Sequence, residues 1–325
     1  MRCKIIINDE VNVKIEGLPV EIRRKIANKM KYEVPYARYL PQYKLGRWDG
    51  KVGFFGLGGN GYVNHLDKIL QIIHEEGIEV DSIDDKRQKT DLNFSLIDKD
   101  FFADKKWPKG HQCEGQSIEL RDYQVEVVNN FLRTPQSLQE VATGAGKTII
   151  TACLSSLCET MGRTVVIVPN KSLVTQTEED YKTVGLDVGV YFGDRKELNR
   201  THTICTWQSL SILEKKSKKY EADFPIDQFI QGVVCIMVDE VHKAKADVLR
   251  NLLGGVFANV PIRWGLTGTI PKDDYEAIGC TCCLGPVIGN LSSKELQDKG
   301  VLANLDINIF QLQDGVRHYC QCHQY

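Results

Sequence analysis

The chain has 325 residues, of which 42% are hydrophobic and 26% are charged, and it carries a formal net charge of −2. This composition is ordinary for a globular protein, and the length predicts two domains with a fragment of a third. A net charge so close to zero excludes a global attraction to nucleic acid. No apolar stretch approaches about 18 residues and the first apolar run is too short for a signal peptide, so we expect no membrane segment, and the cysteines should stay reduced.

Charge is unevenly distributed along the chain. Residues 1–51 hold 12 Lys and Arg against 6 Asp and Glu. Such a basic lobe could contact nucleic-acid phosphates through Arg38, Lys44, Arg47 and Lys51, with Trp48 as a stacking surface. A solvated helix face explains the same charges equally well.

The N-terminal region predicts a small α+β domain, because short alternating segments are mixed with helical spacing. Residues 2–16 predict a strand or a hairpin with a turn at Asn8–Glu10. The later elements are a helix over 19–31, a hairpin turn at Asp49-Gly50 between short strands, a helix over 66–77, a short strand over 78–80 and a polar linker over 81–116.

From residue 118 onward, strands alternate with helices. Strands are predicted over 139–142, 164–169, 187–192, 201–206 and 233–238, and the last strand over 263–266. Helices are predicted over 121–132, 172–183 and 208–220, and a further helix lies between the first strand and about residue 159. Runs such as VVIVP and VVCIMV are apolar on both faces, as strands of a helix-covered parallel sheet must be. The fold class is therefore α/β with a parallel sheet.

The segment Glu140–Ile149, EVATGAGKTI, predicts a loop that binds phosphates. Its glycines let the backbone turn successive N–H groups inward, and the following helix adds its positive end. Lys147 supplies a charge, and Thr148 supplies a hydroxyl for Mg²⁺. Val141 stands where the strict pattern has glycine, so an ordinary helix cap is the alternative.

A second acidic station follows the apolar run VVCIMV and reads Asp239-Glu240-Val241-His242. Ligands of open α/β sheets bind where parallel strands end. The first carboxylate can hold Mg²⁺, and the second can orient and deprotonate an attacking water. A strand that simply ends in a charged turn is the alternative reading.

Three weaker signals accompany these stations. The hydroxyls of GLTGT, residues 265–269, can hydrogen-bond to His242, although a plain turn is as compatible with them. In LRDYQ, the amide of Gln124 can read adenine or merely face solvent. The clusters Cys280-x-Cys282-Cys283 and Cys320-x-Cys322-His323 lack the spacing that tetrahedral zinc sites prefer.

The order of these segments resembles a known family. LRDYQ, ATGAGKT, VPNKSLVTQ, TWQS, DEVH and GLTGT are similar to motifs zero, I, Ia, Ib, II and III of superfamily-two helicases of the DExH type. The N-terminal YKLGRWDGKVGFF and the tail LGPVIGNLSSKELQDKGVLANLDI are similar to segments of UvsW-like phage recombination helicases. The resemblance covers residues 1 to about 308.

The resemblance implies an RecA-like P-loop domain that uses ATP and Mg²⁺. It implies catalytic roles for Lys147, Asp239, Glu240 and His242. It implies nucleotide contacts from Gln124, Thr143, Gly144, Ala145, Gly146, Lys147 and Thr148, with Mg²⁺ held by Thr148 and Asp239. It implies nucleic-acid contacts from Pro169, Asn170, Lys171, Thr206, Trp207 and Gln208, and coupling through Thr267 and Thr269. For Trp207, a packed core aromatic is the alternative.

The predicted domains are a nucleic-acid-binding domain over 1–108, a first RecA-like helicase domain over 109–302, and the truncated start of a second motor domain or an aberrant tail over 303–325. The resemblance implies a DNA helicase or translocase that hydrolyses ATP, acts on branched or single-stranded DNA in recombination and fork repair, works as a monomer, and is a phage protein in the host cytoplasm. RNA stays open as a substrate. The alternatives are a fragment that binds nucleic acid and ATP without unwinding, and a P-loop ATPase that acts on a protein partner.

Overall fold

The computed structural model describes residues 1–111, 113–243 and 246–304. Only residues 303 and 304 of the predicted segment 303–325 are therefore described. Its remaining residues, including Cys320, Cys322 and His323, lie outside the described residues. No helix in these ranges combines the length and apolar character needed to cross a membrane.

The N-terminal region forms a small mixed sheet with helices, as its alternating pattern predicts. Its elements are β1 (Arg2–Ile7), β2 (Asn12–Glu16), α1 (Val20–Lys29), β3 (Lys31–Glu33), α2 (Pro41–Lys44), β4 (Lys51–Gly53), β5 (Asn60–Tyr62), α3 (Leu66–Glu75) and β6 (Glu79–Asp85). Short 3-10 turns lie at Ala37–Tyr39 and Val63–His65. The sheet order is β5-β2-β1-β6, and β3 pairs with β4 separately. The antiparallel β1–β2 pair confirms the predicted N-terminal hairpin.

Two details of this region differ from the sequence prediction. Asp49-Gly50 does not form a tight hairpin turn, because the connection between the paired strands β3 and β4 is long and contains α2. Gly50 instead has φ of +77°, and a Cβ there would lie 3.0 Å from the Tyr43 ring, so the turn needs glycine for a local packing reason.

Strand β6 runs to Asp85, five residues past the predicted strand, and the predicted linker therefore begins too early. It is an edge strand of the small sheet and pairs with β1 in parallel register. An edge strand is exposed to solvent and can carry many polar residues. The polar composition of β6 therefore predicted a linker instead of a strand.

The second region alternates strands and helices as predicted. Its elements are α4 (Asp122–Arg133), β7 (Gln136–Val141), α5 (Lys147–Cys158), β8 (Arg163–Val168), α6 (Lys171–Thr183), β9 (Val188–Phe192), β10 (Arg195–Lys196), β11 (His202–Thr206), α7 (Trp207–Lys218), α8 (Ile226–Ile230), β12 (Val233–Val238), α9 (Ala246–Asn251), β13 (Ile262–Thr267), α10 (Asp274–Leu284), β14 (Val287–Leu291) and α11 (Ser293–Asp298). A 3-10 turn spans Val241–Lys243, and a π-helix spans Leu252–Val256.

These strands form one eight-stranded sheet in the order β10-β9-β11-β8-β12-β13-β7-β14. All neighbouring pairs are parallel except β9–β10. The α/β class with a RecA-like parallel sheet is therefore confirmed. The prediction that the strand over 263–266 is the last was wrong, because β14 adds to β7 at the edge of the sheet. This strand has five residues, VIGNL, with a glycine and an asparagine between its apolar residues, so its strand signal is weak.

The cysteine cluster of residues 280–283 lies on α10, where all three thiols are buried. Among the described residues no group of three or more His, Cys, Asp or Glu side chains is placed to hold a metal ion. These cysteines therefore act as small core residues.

The N-terminal region is packed onto the helices that cover one face of the large sheet, because a single buried apolar cluster includes residues of both regions. Asn12 Nδ2 donates to Gly254 O over 2.9 Å, and the Glu10 amide donates to Ala258 O over 3.0 Å. Below these contacts, the fully buried Arg263 donates to the carbonyls of Leu253, Phe257, Val260 and Cys283. A guanidinium with five donors can satisfy these carbonyls together, so Arg263 fixes the surface that receives the N-terminal region.

Candidate ATP site and nucleic-acid edge

The predicted phosphate loop connects the end of β7 to the start of α5. Gly144 and Gly146 have φ of +88° and +81°, and a Cβ at Gly146 would lie 2.6 Å from Gln124 Nε2. Both positions therefore need glycine. In the described part of the chain neither glycine amide donates to a backbone carbonyl. The loop thus presents N–H groups at the N-terminus of a 12-residue helix, an arrangement that suits an anion.

The strand order brings the acidic station to this loop. Only β13 separates β7 from β12, and all three are parallel. As a result, Lys147 Nζ lies 3.0 Å from Glu240 Oε1, and the two side chains are only 9% and 10% exposed. Lys147 Nζ also donates to Val141 O over 3.3 Å. The lysine and the carboxylate that the sequence predicts for ATP chemistry therefore form a buried ion pair.

The two carboxyl groups of this station differ in their electrostatics. Burial raises the pKa of Asp239 to about 6, with the Lys147 charge opposing and the Glu240 charge adding to the rise. Burial would also raise the pKa of Glu240, but the hydrogen bond and charge of Lys147 outweigh it and lower that pKa. Glu240 is thus held as a carboxylate, and Asp239 is a group whose charged form a nearby cation would favour.

Glu240 has an unusual backbone conformation, with φ of +51°. A non-glycine residue in the left-handed region costs on the order of 1 kcal/mol, and such strain concentrates at functional sites. Glu240 Oε2 accepts a hydrogen bond from the Gly268 amide over 3.2 Å, which anchors the side chain to the end of β13. The strained backbone and this anchor together aim the carboxylate into the site.

A short polar chain links the acidic station to the GLTGT segment. His242 Nδ1 and Thr267 Oγ1 are 2.6 Å apart, and Thr267 Oγ1 donates to Thr269 O over 2.9 Å. His242 Nδ1 also lies 3.4 Å from Glu240 Oε2. Glu240 therefore contacts the turn after β13 directly through the Gly268 amide and indirectly through His242.

Gln124 lies beside the phosphate loop but uses both ends of its amide within the chain. Its Nε2 donates to Ala145 O over 2.9 Å, and its Oε1 accepts from the Arg121 amide over 2.9 Å. The side chain is 7% exposed. In this arrangement Gln124 positions the loop and caps α4, which differs from the solvent-facing residue that was the alternative.

A cavity of 520 Å³ adjoins the loop, and it includes residues that sequence reasoning assigned to a linker. Its walls include Gly144, Gly146 and Thr148 on one side and Trp107 and His111 on another. The indole and imidazole rings are stacked, with centroids 4.0 Å apart and planes 10° apart. A lone Trp-Pro in a polar stretch gave no reason to place these rings next to the phosphate loop, because the signal is tertiary.

Two predicted nucleic-acid segments lie side by side at the same edge of the sheet, because β8 and β11 are adjacent and parallel. Asn170 caps α6 by accepting from the Leu173 amide over 3.0 Å, and Thr206 caps α7 by accepting from the Ser209 amide over 3.3 Å. Each helix exceeds ten residues, so two positive helix ends face this edge. Of the other predicted contacts, Pro169 is half-buried and Lys171 and Gln208 are exposed.

Trp207 does not lie on this surface. Its side chain is 5% exposed and belongs to the apolar core, as the alternative of a packed core aromatic describes. The first residue of α7 faces inward because the helix packs back onto the sheet.

The N-terminal candidates are unequal. Arg47 and Lys51 are exposed, whereas Trp48 is half-buried and packs against the core. Trp48 Nε1 donates to Lys51 O over 2.8 Å, which fixes the ring edge. Its indole is therefore a structural group more than a free stacking surface.

The donor set fits magnesium-ATP. The Thr148 hydroxyl and the Asp239 carboxylate are the oxygen ligands that Mg²⁺ prefers, and Mg²⁺ uses few protein ligands beside phosphate. The glycine turn leaves room that any Cβ would fill, and the adjoining cavity offers stacked rings to a nucleobase.

Comparison with known proteins agrees with this geometry. Residues 117–272 match the family model described as "Type III restriction enzyme, res subunit". The chain is 30% identical over 183 residues to the DNA 3'-5' translocase XPB2 of Sulfurisphaera tokodaii, a match that covers 56% of this chain and 38% of that protein. It is 22% identical over 306 residues to the ATP-dependent DNA helicase uvsW of Enterobacteria phage T4, covering 85% of this chain and 54% of the relative.

The fold has a solved counterpart. The crystal structure of the UvsW helicase from bacteriophage T4 superposes with a TM-score of 0.67 at 18% identity, covering 89% of this chain and 100% of that chain. The match to uvsW in sequence bears out the resemblance that the motifs indicate, and the solved structure shows that the fold is shared. The chain spans about half the length or less of the curated relatives described above.

Proposed function

We propose that this chain, a relative of the superfamily-two helicases in sequence and fold, supplies the ATP-hydrolysing motor domain of a DNA helicase or translocase. The ion pair between Lys147 and Glu240 carries the proposal, because it brings the phosphate loop and the acidic strand end into one buried site. An ordinary helix cap and an ordinary charged turn would have no reason to meet in this way.

Each residue of the site then has a physical task. Lys147 and the amides of residues 144–148 bind the phosphates, while Thr148 and Asp239 hold Mg²⁺. Mg²⁺, when bound, neutralises charge on the phosphate oxygens. Glu240, kept ionised by its surroundings, orients the attacking water and accepts its proton.

The turn after β13 is proposed to connect hydrolysis to DNA. Glu240 contacts the Gly268 amide and His242, and His242 contacts Thr267. The same sheet edge carries the N-termini of α6 and α7, which suit the phosphates of one DNA strand. Movement of Glu240 during the cycle can thus alter the grip on DNA.

The substrate is proposed to be branched or single-stranded DNA, processed in recombination and fork repair by a monomeric phage protein in the host cytoplasm. RNA remains a second candidate substrate. The protein names of the relatives and the exposed basic residues of the N-terminal region support DNA. The predicted division at residues 108 and 302 belongs to the same proposal.

Two assays with the purified 325-residue chain separate this function from its rivals. A DNA helicase or translocase domain hydrolyses ATP faster when single-stranded or forked DNA is added. A P-loop ATPase that acts on a protein partner hydrolyses ATP at a rate that DNA leaves unchanged, and this result would overturn the proposal. Strand displacement on forked DNA then distinguishes an unwinding enzyme from a chain that binds DNA and ATP without unwinding.

A further inference from the structure

Residues 38–47, RYLPQYKLGR, form an exposed ridge on the N-terminal region. The ridge contains the end of a 3-10 turn and the whole of α2, which begins with Pro41. Tyr39 and Leu45 are each 64% exposed, and Tyr43 is 43% exposed. Large apolar and aromatic side chains that are this exposed contribute little to the core, and a group of them on one surface is typical of a binding site.

The ridge is also positively charged without local compensation. It holds Arg38, Lys44 and Arg47 and no acidic residue. Within the described part of the chain, none of these three cations forms a salt bridge. Elsewhere in the same domain basic residues are paired: Lys29 with Glu75, Lys25 with Glu76 and Lys31 with Asp49. The positive charge of the ridge is therefore available to an anionic partner.

The rings and the charges are interleaved at close range. The Arg38 guanidinium carbon lies 4.9 Å from the centroid of the Tyr39 ring. The Tyr43 ring lies against Gly50, which fixes it in place at the base of the ridge. Alternating cations and rigid rings are what proteins use to hold a nucleic-acid strand whose bases are unpaired.

We propose that this ridge binds single-stranded DNA through its bases, with Tyr39 stacking on a base and Arg38, Lys44 and Arg47 contacting the flanking phosphates. The inference rests on the proposed function and assigns its DNA-binding site in the N-terminal region. Duplex DNA offers the same phosphates but hides its base faces, so stacking selects unpaired nucleotides. Trp48, the aromatic residue that the sequence favoured, is half-buried and does not take part.

Fluorescence anisotropy with two labelled oligomers tests the stacking step. One is an oligothymidylate of about twelve nucleotides, within the usual site size, and the other is an abasic oligomer of equal length and charge. The parent chain should bind the oligothymidylate more tightly. Tyr39→Ala should weaken that binding at least about fivefold and leave abasic binding unchanged, while Tyr39→Trp should restore it.

Two further variants complete the design. Arg47→Ala should weaken binding of both oligomers alike, because it removes a phosphate contact. Ile83→Ala, which trims a 62% exposed side chain on the acidic strand β6, should change neither.

The inference is overturned if Tyr39→Ala binds both oligomers as the parent does, or if the parent shows no preference for bases. DNA-stimulated ATP hydrolysis measured on the same preparations would then still uphold the proposed function, whereas its absence together with loss of all DNA binding would remove both.

Discussion

Lys147 Nζ and Glu240 Oε1 lie 3.0 Å apart at the meeting point of the phosphate loop and strand β12. Each side chain is the charge partner of the other in a largely buried site. In the proposed mechanism Lys147 turns to phosphate and Glu240 turns to water, so both exchange this contact when magnesium-ATP binds. The pair favours the ionised form of Glu240 and holds both groups close to the atoms they serve.

Glu240→Gln should bind ATP and hydrolyse it at least about a hundredfold more slowly. The amide keeps the shape of the side chain but cannot accept a proton, and general-base catalysis contributes about 10²–10⁴-fold. Binding of a fluorescent ATP analogue and phosphate release measure the two effects. Glu214→Gln, which alters a carboxylate paired with Lys218 on α7, is the control and should hydrolyse normally. Phosphate release by Glu240→Gln at the parent rate would remove Glu240 from the chemistry.

Thr267→Val should retain basal ATP hydrolysis and lose most of its stimulation by DNA. Valine has nearly the same shape but cannot form the 2.6 Å contact with His242, which is the proposed link between the two sites. A coupling free energy of about 1–3 kcal/mol corresponds to about a fivefold or larger loss of stimulation. Thr201→Val, which removes an exposed hydroxyl bonded to the Asp187 carboxylate, is the matched control. Undiminished stimulation in Thr267→Val would show that coupling takes another route.

Gln124→Ala should weaken binding of ATP and GTP to the same extent, by about fivefold. The amide supports the loop through Ala145 O, and a hydrogen bond of this kind contributes about 1 kcal/mol. A residue that reads adenine directly would instead affect ATP alone. Competition of the two nucleotides against a fluorescent analogue distinguishes these cases, and a loss confined to ATP would favour adenine recognition.

His65→Phe should make stability less dependent on pH between 7.5 and 5. Among the residues that the structure describes, neither ring nitrogen of His65 has a hydrogen-bond partner. Burial lowers the pKa of His65 to about 4, with the Lys68 charge adding to the effect. The neutral ring is favoured in the fold, so its contribution is complete above the unfolded pKa of about 6.5 and is lost as pH falls toward 4.

Urea denaturation at the two pH values measures this difference. The parent should lose about 2 kcal/mol more than His65→Phe on going to pH 5. Phenylalanine keeps the edge contacts with the Phe54 and Tyr62 rings, so the variant should fold. Equal pH dependence in the two proteins would mean that His65 is not buried as a neutral ring.

The parts of the fold that follow from local pattern could be predicted from the sequence. The runs ending at Val168 and Val238 are apolar on both faces, and that alone indicates buried parallel strands. The glycines of the phosphate loop indicate phosphate binding by their residue type and order, and the carboxylates after β12 indicate a site for Mg²⁺ and water in the same way. Strand β6 was predicted too short because this edge strand carries polar residues, which composition cannot separate from a loop. Strand β14 was missed because it is short and is interrupted by a glycine and an asparagine.

The side-chain assignments that depend on tertiary contacts could not be predicted. Trp207 follows a strand that ends at the nucleic-acid edge, yet it turns into the core. Gln124 is engaged at both ends of its amide, and Trp107 stacks on His111 beside the loop. Each outcome depends on how distant segments pack, and one sequence contains no direct record of that packing.

In the proposed function, the Lys147 loop binds ATP, and DNA accelerates hydrolysis of that ATP. The most direct measurement is phosphate release by the parent chain and by Lys147→Ala, each with and without single-stranded DNA, with Lys218→Ala as a control that removes an exposed, paired lysine. Hydrolysis by the parent should rise with DNA, and Lys147→Ala should lose about a hundredfold or more, equivalent to about 3 kcal/mol of transition-state stabilisation. Hydrolysis that persists at the parent rate in Lys147→Ala would contradict the account.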